Sequence, residues 1–185
     1  MNEMKTVIRF FTVADYEDEE LWLRAQHRAG WKMADMTPPC FYRFERCEPE
    51  DVIYRLDFKN GEQDEEYLRF FADYGWECFE SCLGWLFFRK SAAAAESEED
   101  GEIFSDNASR AALANKVVKT RILPVLIIFL TCLLPSLLRV VRYSEPAAIV
   151  FTVILSLFAG MYLFLLVHCG VKLARLLRKY GGRQG

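Results

Sequence analysis

The N-terminal half of the chain contains a pattern that recurs after 45 residues. A Gly-Trp pair follows a helix-like acidic and apolar stretch twice, as Gly30-Trp31 and as Gly75-Trp76. The same shift superimposes three further segments: Val7-Ile8 on Val52-Ile53, Glu19-Glu20 on Asp64-Glu65, and Trp22-Leu23 on Tyr67-Leu68. A repeat of this length indicates one supersecondary unit used more than once. We therefore predict two copies, spanning about residues 5–46 and 50–90.

Each copy has the pattern of a strand, a helix and two further strands. In the first copy, Lys5 to Thr12 is β-branched and aromatic, which is typical of a strand. Acidic residues from Asp15 favour a helix N-terminus, and Gly30 favours its end because glycine adopts left-handed backbone angles at low cost. We predict an α+β domain over residues 1–90, in which the duplicated strand-helix-strand-strand units form one antiparallel sheet with two helices on one face.

The C-terminal half contains two long apolar runs. Ile122 to Leu138 has 17 residues without a charge, and Ala147 to Val171 has 25 residues without Asp, Glu, Lys or Arg, with His168 as the one side chain that can become positively charged. A helix needs about 20 apolar residues to cross a bilayer. Residues 105–185 are therefore predicted to form a juxtamembrane helix, two transmembrane helices at about 122–140 and 147–171, and a basic tail.

Basic residues flank the outer ends of the two runs. Within residues 107–185, nine Lys or Arg side chains lie before the first run or after the second, and only Arg139 and Arg142 lie between them. Because positive charge is retained on the cytoplasmic side, we expect both termini, and the N-terminal domain, in the cytoplasm. Four basic residues after the second run are expected at anionic lipid headgroups: Lys172, Arg175, Arg178 and Lys179.

The charge of the chain is divided between its halves. Residues 1–106 carry 25 acidic and 12 basic side chains, whereas residues 107–185 carry one acidic and 11 basic. A small, acidic segment at residues 91–104 is predicted to be a linker. The acidic domain does not suit nucleic acid, because phosphate contacts require Lys and Arg. Cysteine and histidine spacing indicates neither a metal site nor a catalytic nucleophile, so we expect no cofactor and no enzyme.

Aromatic side chains and carboxylates occur together in the N-terminal domain. Aromatic faces beside carboxylates attract organic cations, so a pocket for a hydrophobic cation is one expectation. Its candidate rings are Trp31, Tyr54, Trp76 and Trp85, and its candidate counter-charges are Glu45, Glu77 and Glu80. The alternative is that the rings fill the core while the carboxylates are solvated on the outer surface.

Eight segments in order resemble one protein family. They are Lys5 to Phe11, Asp15 to Leu23, Gly30-Trp31, Phe41 to Glu45, Ile53 to Phe58, Tyr74 to Glu77, Gly84 to Lys90, and Ile103 to Asn107. Together they resemble the domain-of-unknown-function family 2812, over about residues 4–110. The resemblance implies two C-terminal membrane spans and no known catalytic residues. It also implies a bacterial gene beside a PadR-like transcription regulator, a possible protein partner.

Two functions follow from these features. The first is a membrane-anchored cytosolic sensor or regulatory module that binds a ligand or a protein. The second is a small transporter or membrane-complex subunit that acts through its hairpin, with homo-oligomers possible in either case. Polar groups that line a path across the bilayer would favour the second function.

Overall fold

The computed structural model divides into two compact units, residues 1–113 and residues 114–185. It describes residues 3–59, 65–95, 97, 100–103, 107–140 and 146–181. The predicted turn at residues 60–61, the loop between the apolar runs and the end of the basic tail lie outside the described residues.

The first unit contains the predicted element order twice. The first repeat consists of β1 (Met4–Ile8), α1 (Tyr16–Arg28), β2 (Trp31–Thr37) and β3 (Phe41–Arg46). The second repeat consists of β4 (Val52–Phe58), α2 (Glu65–Asp73), β5 (Glu77–Cys82) and β6 (Trp85–Ser91). The predicted α+β class with duplicated strand-helix-strand-strand units is therefore confirmed.

The strands form two sheets where one was predicted. Each repeat has its own three-stranded antiparallel sheet, in the orders β1-β3-β2 and β4-β6-β5. The edge strands β2 and β5 lie next to each other, yet they do not share a hydrogen-bonded ladder. Both carry a β-bulge, at Ala34 and at Phe79. A bulge interrupts the regular row of peptide groups that an edge strand presents, which is the physical reason for two sheets.

The shift of 45 residues holds for only part of the repeat. It relates Gly30 to Gly75, whose φ angles are 80° and 79°, and it relates the two bulged residues. Phe44 and Phe88 are equivalent, because they lie opposite Met33 and Cys78, which the shift of 45 residues relates. Lys5 lies opposite Phe44 and Arg55 lies opposite Phe88, so Lys5 corresponds to Arg55 and the shift of 45 residues does not relate the first strands. The alignment of Val7-Ile8 with Val52-Ile53 is therefore wrong in the structure. The spacing before the glycine corner also differs, because Gly30 lies 22 residues after the end of β1 and Gly75 lies 17 residues after the end of β4.

Aromatic side chains fill the core of each repeat. In the first repeat, the indole of Trp22 packs edge-on against Tyr42 and Phe44, with ring centroids 4.9 and 5.6 Å away. In the second repeat, the buried cluster consists of Ile53, Phe71, Trp76, Leu86 and Phe88. Helix α1 packs against β4 as well as β2, so it joins the two repeats.

The described part of the predicted linker packs onto the first unit. Strand β6 extends to Ser91, and a short 3-10 turn follows at Ala92–Ala94. Ala95 and Ile103 pack against the core cluster of the second repeat, and Asp100 pairs with the buried Lys90. Ala92, Ala95 and Ile103 therefore cover apolar surface of the second repeat.

Two long apolar helices follow. The first apolar helix, residues 107–140, consists of α3 (Asn107–Val117), α4 (Leu123–Ile128) and α5 (Leu134–Val140), joined by π-helical turns at Val118–Ile122 and Phe129–Leu133. The second is α6 (Pro146–Gly181). Segments of 31 and 32 residues in these helices are long and apolar enough to cross a bilayer, which is consistent with a two-pass membrane protein.

Each π-helical turn ends two residues before a proline. Pro124 and Pro135 lack an N–H, and their rings crowd the carbonyl groups of Thr120 and Thr131, so the preceding turn widens. In an ordinary α-helix, two side chains 20 residues apart point in directions that differ by about 200°. Each π-helical turn contains one extra residue, which reduces this difference by about 100°. The two wide turns therefore keep one face towards α6, with half-buried or buried positions at Val117, Arg121, Val125, Phe129, Leu133 and Leu137.

Candidate functional site

A cleft of about 420 Å³ lies where the two repeats meet in the first unit. The C-terminal end of α1, strand β2 and the β3–β4 connection line it from one side. The glycine corner after α2 and strands β5 and β6 line it from the other. Its ionisable side chains include His27, Lys32, Glu48, Glu50, Glu77, Arg89 and Lys90.

Equivalent positions of the two repeats meet in this cleft with opposite charge. Lys32 and Glu77 are related by the shift of 45 residues, and both line the cleft. Lys32 lies opposite Glu45 on β3, and their charged atoms are 2.5 Å apart. Glu77 lies opposite Arg89 on β6, with two hydrogen bonds of 2.6 and 2.7 Å. At this position, therefore, each copy of the duplicated unit has a cross-strand ion pair, and its polarity is reversed between the copies.

His27, which lines the cleft, takes part in a buried hydrogen bond. The ring nitrogen Nδ1 of His27 and the hydroxyl of Tyr54 are 2.8 Å apart, and Tyr54 is buried. Burial and the nearby Arg89 guanidinium lower the pKa of His27, and burial raises the pKa of Tyr54 to about 12. Both groups are therefore neutral at pH 7. Arg89 also donates a 3.3 Å hydrogen bond to the carbonyl of Met33, which links the second repeat to the first.

Lys90 is buried beside the glycine corner, with 4% of its side chain exposed. Its ammonium lies 2.8 Å from the Asp100 carboxylate and 5.9 Å from the centre of the Trp76 ring. A buried charge is costly unless it is paired, so Asp100 supplies the counter-charge. The acidic segment after β6 therefore contributes to the site.

The three cations of the cleft are neutralised by the protein. Lys32, Arg89 and Lys90 pair with Glu45, Glu77 and Asp100, respectively. Glu50 accepts a hydrogen bond from the Ser91 hydroxyl at 2.6 Å. Within the described residues, Glu48 has neither an ion pair nor a hydrogen bond. The cleft therefore presents carboxylates that retain their capacity to bind a cation.

The structure does not bring the four candidate aromatic rings together. The face of Trp31 is covered by Lys5, 4.3 Å from the ring centre, and by Arg46 at 5.0 Å. Tyr54 bonds to His27, and Trp76 belongs to the core of the second repeat. Trp85 packs against Tyr16 and Phe58 at 5.6 and 5.2 Å. The four rings are apart because each of them is packed against, or bonded to, different neighbours.

The candidate carboxylates are also placed differently. Glu77 lines the cleft, whereas Glu45 contributes only through its pair with Lys32. Glu80 accepts a hydrogen bond from the backbone N–H of Ser81 at 2.8 Å. The cations of the cleft were missed by sequence reasoning. One signal was present, since a Lys in one copy and a Glu in the other occupy the same position beside the repeated Gly-Trp pair.

A second network connects α1 to the start of the first apolar helix. Arg55 on β4 is 3.4 Å from Glu20 and forms two hydrogen bonds of 2.8 and 2.9 Å with Glu102. Glu102 also pairs with Arg110 of α3 at 2.6 Å. Burial raises the pKa of Glu20 to about 8, although Arg55 and a hydrogen bond from the N–H of Leu56 oppose the shift.

The described residues give no support for metal or thiol chemistry. They contain no group of three or more His, Cys, Asp or Glu side chains placed to hold a metal ion. All six cysteines are free thiols, and burial raises the pKa of Cys78 to about 11. At neutral pH Cys78 is therefore a protonated thiol that packs in the fold.

Comparison with known proteins identifies the family. The profile of the family described as "Protein of unknown function (DUF2812)" matches residues 15–127, which is more than half of the chain. The chain belongs to the DUF2812 family. The DUF2812 match begins just before α1, includes the whole second repeat and ends within the first apolar helix. No curated protein matches this chain, and no solved structure matches it.

Proposed function

We propose that this protein is a membrane-anchored sensor or regulatory module whose α+β unit faces the cytoplasm and binds a ligand in the cleft between its repeats. The observation that carries the proposal is the cleft itself, in which both repeats contribute ionisable side chains beside the buried His27–Tyr54 pair. Ligand sites are typically preformed concave surfaces with a few convergent polar groups. The distribution of basic residues around the apolar helices supports cytoplasmic termini.

The ligand class that we propose is a small organic cation. The cations of the cleft are already paired with carboxylates, whereas Glu48 and Glu50 remain able to accept positive charge. The excess of acidic residues in the first unit adds a long-range attraction for cations. The ligand in this proposal is bound mainly by carboxylates, because the predicted aromatic rings lie elsewhere.

The network from Glu20 to Arg110 is proposed to carry the response. Helix α1 contributes His27 to the cleft and Glu20 to the network, so a ligand that moves α1 also affects Arg55 and Glu102. Glu102 holds Arg110 in the first turn of α3. A movement of α1 would therefore change the position of the start of the first apolar helix.

A PadR-like transcription regulator is the protein partner that we propose. The family resemblance supports this partner. The charge of the first unit supports it too, since an acidic surface is complementary to the basic surface that a DNA-binding protein presents. The module would then hold the regulator at the membrane in one ligand state and release it in the other.

The apolar hairpin is proposed to anchor the module. The hydroxyl of Thr131 donates to the carbonyl of Ile127 in the same helix at 2.7 Å. His168 is exposed on α6 and stacks on Phe164, with ring centroids 6.0 Å apart. Neither group lies in the interior of the hairpin, where a transport path needs polar side chains. This placement supports an anchor over a transporter.

Equilibrium dialysis of the full chain in lipid nanodiscs tests the proposed function. The probes are tetraphenylphosphonium and tetraphenylborate, ions of similar size and opposite charge, with empty nanodiscs to subtract partition into lipid. We expect saturable binding of tetraphenylphosphonium and no saturable binding of tetraphenylborate. The dissociation constant of tetraphenylphosphonium should rise about tenfold or more in the double variant Glu48→Gln/Glu50→Gln. Asp73→Asn, an exposed neutralisation on α2, is the matched control and should not change binding. Equal uptake of both ions, or no effect of the double variant, would refute the proposal.

A further inference from the structure

Strand β1 has an open edge. The N–H of Arg46 donates to the carbonyl of Glu3 at 2.8 Å, and the N–H of Arg9 donates to the carbonyl of Cys40 at 2.9 Å. Hydrogen-bonded and non-hydrogen-bonded positions alternate along an antiparallel strand. The peptide groups of Met4, Thr6 and Ile8 therefore point away from β3. In the part of the chain that the structure describes, β1 is paired with β3 alone.

The corresponding edge of the second sheet is closed. The N–H of Leu56 on β4 donates to the carboxylate of Glu20 at 2.8 Å. The carbonyl of Tyr54 accepts a hydrogen bond from the Arg55 guanidinium at 2.9 Å. Helix α1 packs against this strand. The two repeats therefore differ at their first strands, since the β4 edge is capped by side chains and the β1 edge is not capped within the described residues.

The side chains around the open edge are apolar and exposed. Met4 is 49% exposed and Ile8 is 64% exposed, and both lie on the open face of the sheet. Phe41 lies opposite Ile8 on β3 and is also exposed. Uncapped edge strands with apolar side chains are surfaces on which another strand is added. The charges along β1 indicate which strand is added to this edge.

We propose that β1 pairs with β1 of a second copy of this chain, antiparallel, with Thr6 opposite the partner's Thr6. Because only outward-pointing peptide groups can bond across the edge, the twofold axis must pass near Lys5, Thr6 or Val7. An axis at Lys5 places two lysines opposite each other, and an axis at Val7 places Lys5 opposite the partner's Arg9. Both arrangements set like charges together, which is unfavourable.

The arrangement centred on Thr6 is self-complementary. It places Glu3 opposite the partner's Arg9, and both side chains are exposed in one copy. It also places Met4 opposite the partner's Ile8, so the two exposed apolar side chains cover each other. The β1-β3-β2 sheets of the two copies become one continuous antiparallel sheet. Attachment to a membrane favours this pairing by raising the effective concentration of the partner.

Thr6→Pro in the full chain tests the hydrogen bonds of this interface. The Thr6 N–H points outward, so proline removes a bond to the partner while the ladder with β3 is retained. Dimerisation is measured in proteoliposomes by energy transfer between labelled copies over a range of protein-to-lipid ratios. We expect the dimer dissociation constant to rise about tenfold or more with Thr6→Pro and to stay within about twofold with Thr6→Ala, which keeps the N–H. Circular dichroism of each variant checks that the fold is retained.

Charge reversal tests the register. Glu3→Lys and Arg9→Glu should each weaken the dimer, and the double variant should restore it, because the opposite-charge pair is rebuilt with its ends exchanged. Asp73→Lys makes the same change at an exposed position of α2 and should have no effect. A chain that stays monomeric at every ratio would overturn the proposal. So would a dimer that Thr6→Pro leaves unchanged, since its contacts would then lie elsewhere.

Discussion

The hydroxyl of Tyr42 donates a 2.7 Å hydrogen bond to the carboxylate of Glu19, and both groups are buried in the first repeat. Burial raises the pKa of Glu19 to about 7, although the hydrogen bond from Tyr42 partly opposes this shift. The next residue, Glu20, has its pKa raised to about 8, also mainly by burial. Two adjacent carboxyl groups of α1 therefore bind protons in the folded protein at a pH where an unfolded chain has released them.

We predict that the free energy of unfolding falls as the pH rises from about 4.5 to about 8. Between these values the folded state binds more protons than the unfolded state, so stability is lost as protons are removed. Thermal unfolding of the full chain in detergent, followed by circular dichroism at a series of pH values, measures the slope. Glu20→Gln should flatten it, because the neutral amide does not titrate. A stability that rises across this interval would contradict the assignment.

The two glycine corners allow a matched comparison within one protein. Gly30 and Gly75 have φ angles of 80° and 79°, so alanine is strained at either site, by about 1–2 kcal/mol. An added Cβ at Gly30 would lie 3.0 Å from the carbonyl oxygen of Cys47, whereas at Gly75 it would meet only the flexible Lys90 side chain, at 3.6 Å. We predict that Gly30→Ala destabilises the protein more than Gly75→Ala. Chemical denaturation of both variants ranks them, and equal losses would show that the Cys47 contact has no influence.

Arg55 lies between two carboxyl groups. It contacts the buried Glu20 and the half-buried Glu102. Above about pH 8, where Glu20 is ionised, Arg55→Met is expected to lower the free energy of unfolding by about 3 kcal/mol, the cost of leaving a buried charge uncompensated. Amide hydrogen exchange in the first turn of α3 should also become faster, because Glu102 is no longer fixed beside Arg110. Arg69→Met, which removes an exposed pair with Glu65, is the control and should cost less than about 0.5 kcal/mol.

The topology is predicted to place both termini in the cytoplasm. A membrane-impermeant thiol reagent applied to intact cells should not reach a cysteine introduced at the exposed Asp73. The same reagent should label a cysteine at position 144, between the predicted spans, because that loop is expected outside. Permeabilised cells provide the control, in which both positions react. Labelling of position 73 in intact cells would show that the first unit lies outside the cell, which would exclude a cytosolic partner.

The local elements of the fold were predictable because their signals are local. Gly30 and Gly75 indicate the helix ends, and uncharged runs indicate the apolar helices. Whether β2 and β5 join into one sheet depends on bulges at Ala34 and Phe79, which no residue pattern specifies. The candidate site depends on the same tertiary contacts. Glu77 was selected from composition. Its partner Arg89 lies opposite it in the β5–β6 hairpin, whereas Lys32 lines the same cleft only through the packing of the repeats.

The first apolar helix was also only partly predictable from the sequence. The uncharged run from Ile122 to Leu138 predicts its apolar length. The wide turns before Pro124 and Pro135 were not predicted, since they result from the steric demand of each proline ring on the carbonyl four residues earlier.

Amide hydrogen exchange of the full chain in nanodiscs, with and without saturating tetraphenylphosphonium, tests whether a ligand in the cleft alters the start of the first apolar helix. We expect slower exchange in the connection from Cys47 to Glu50, in the segment from Gly75 to Glu77, and in the first turn of α3. Tetraphenylborate should leave all three segments unchanged. Slower exchange confined to the apolar helices, or no change anywhere, would contradict a sensing role for this cleft.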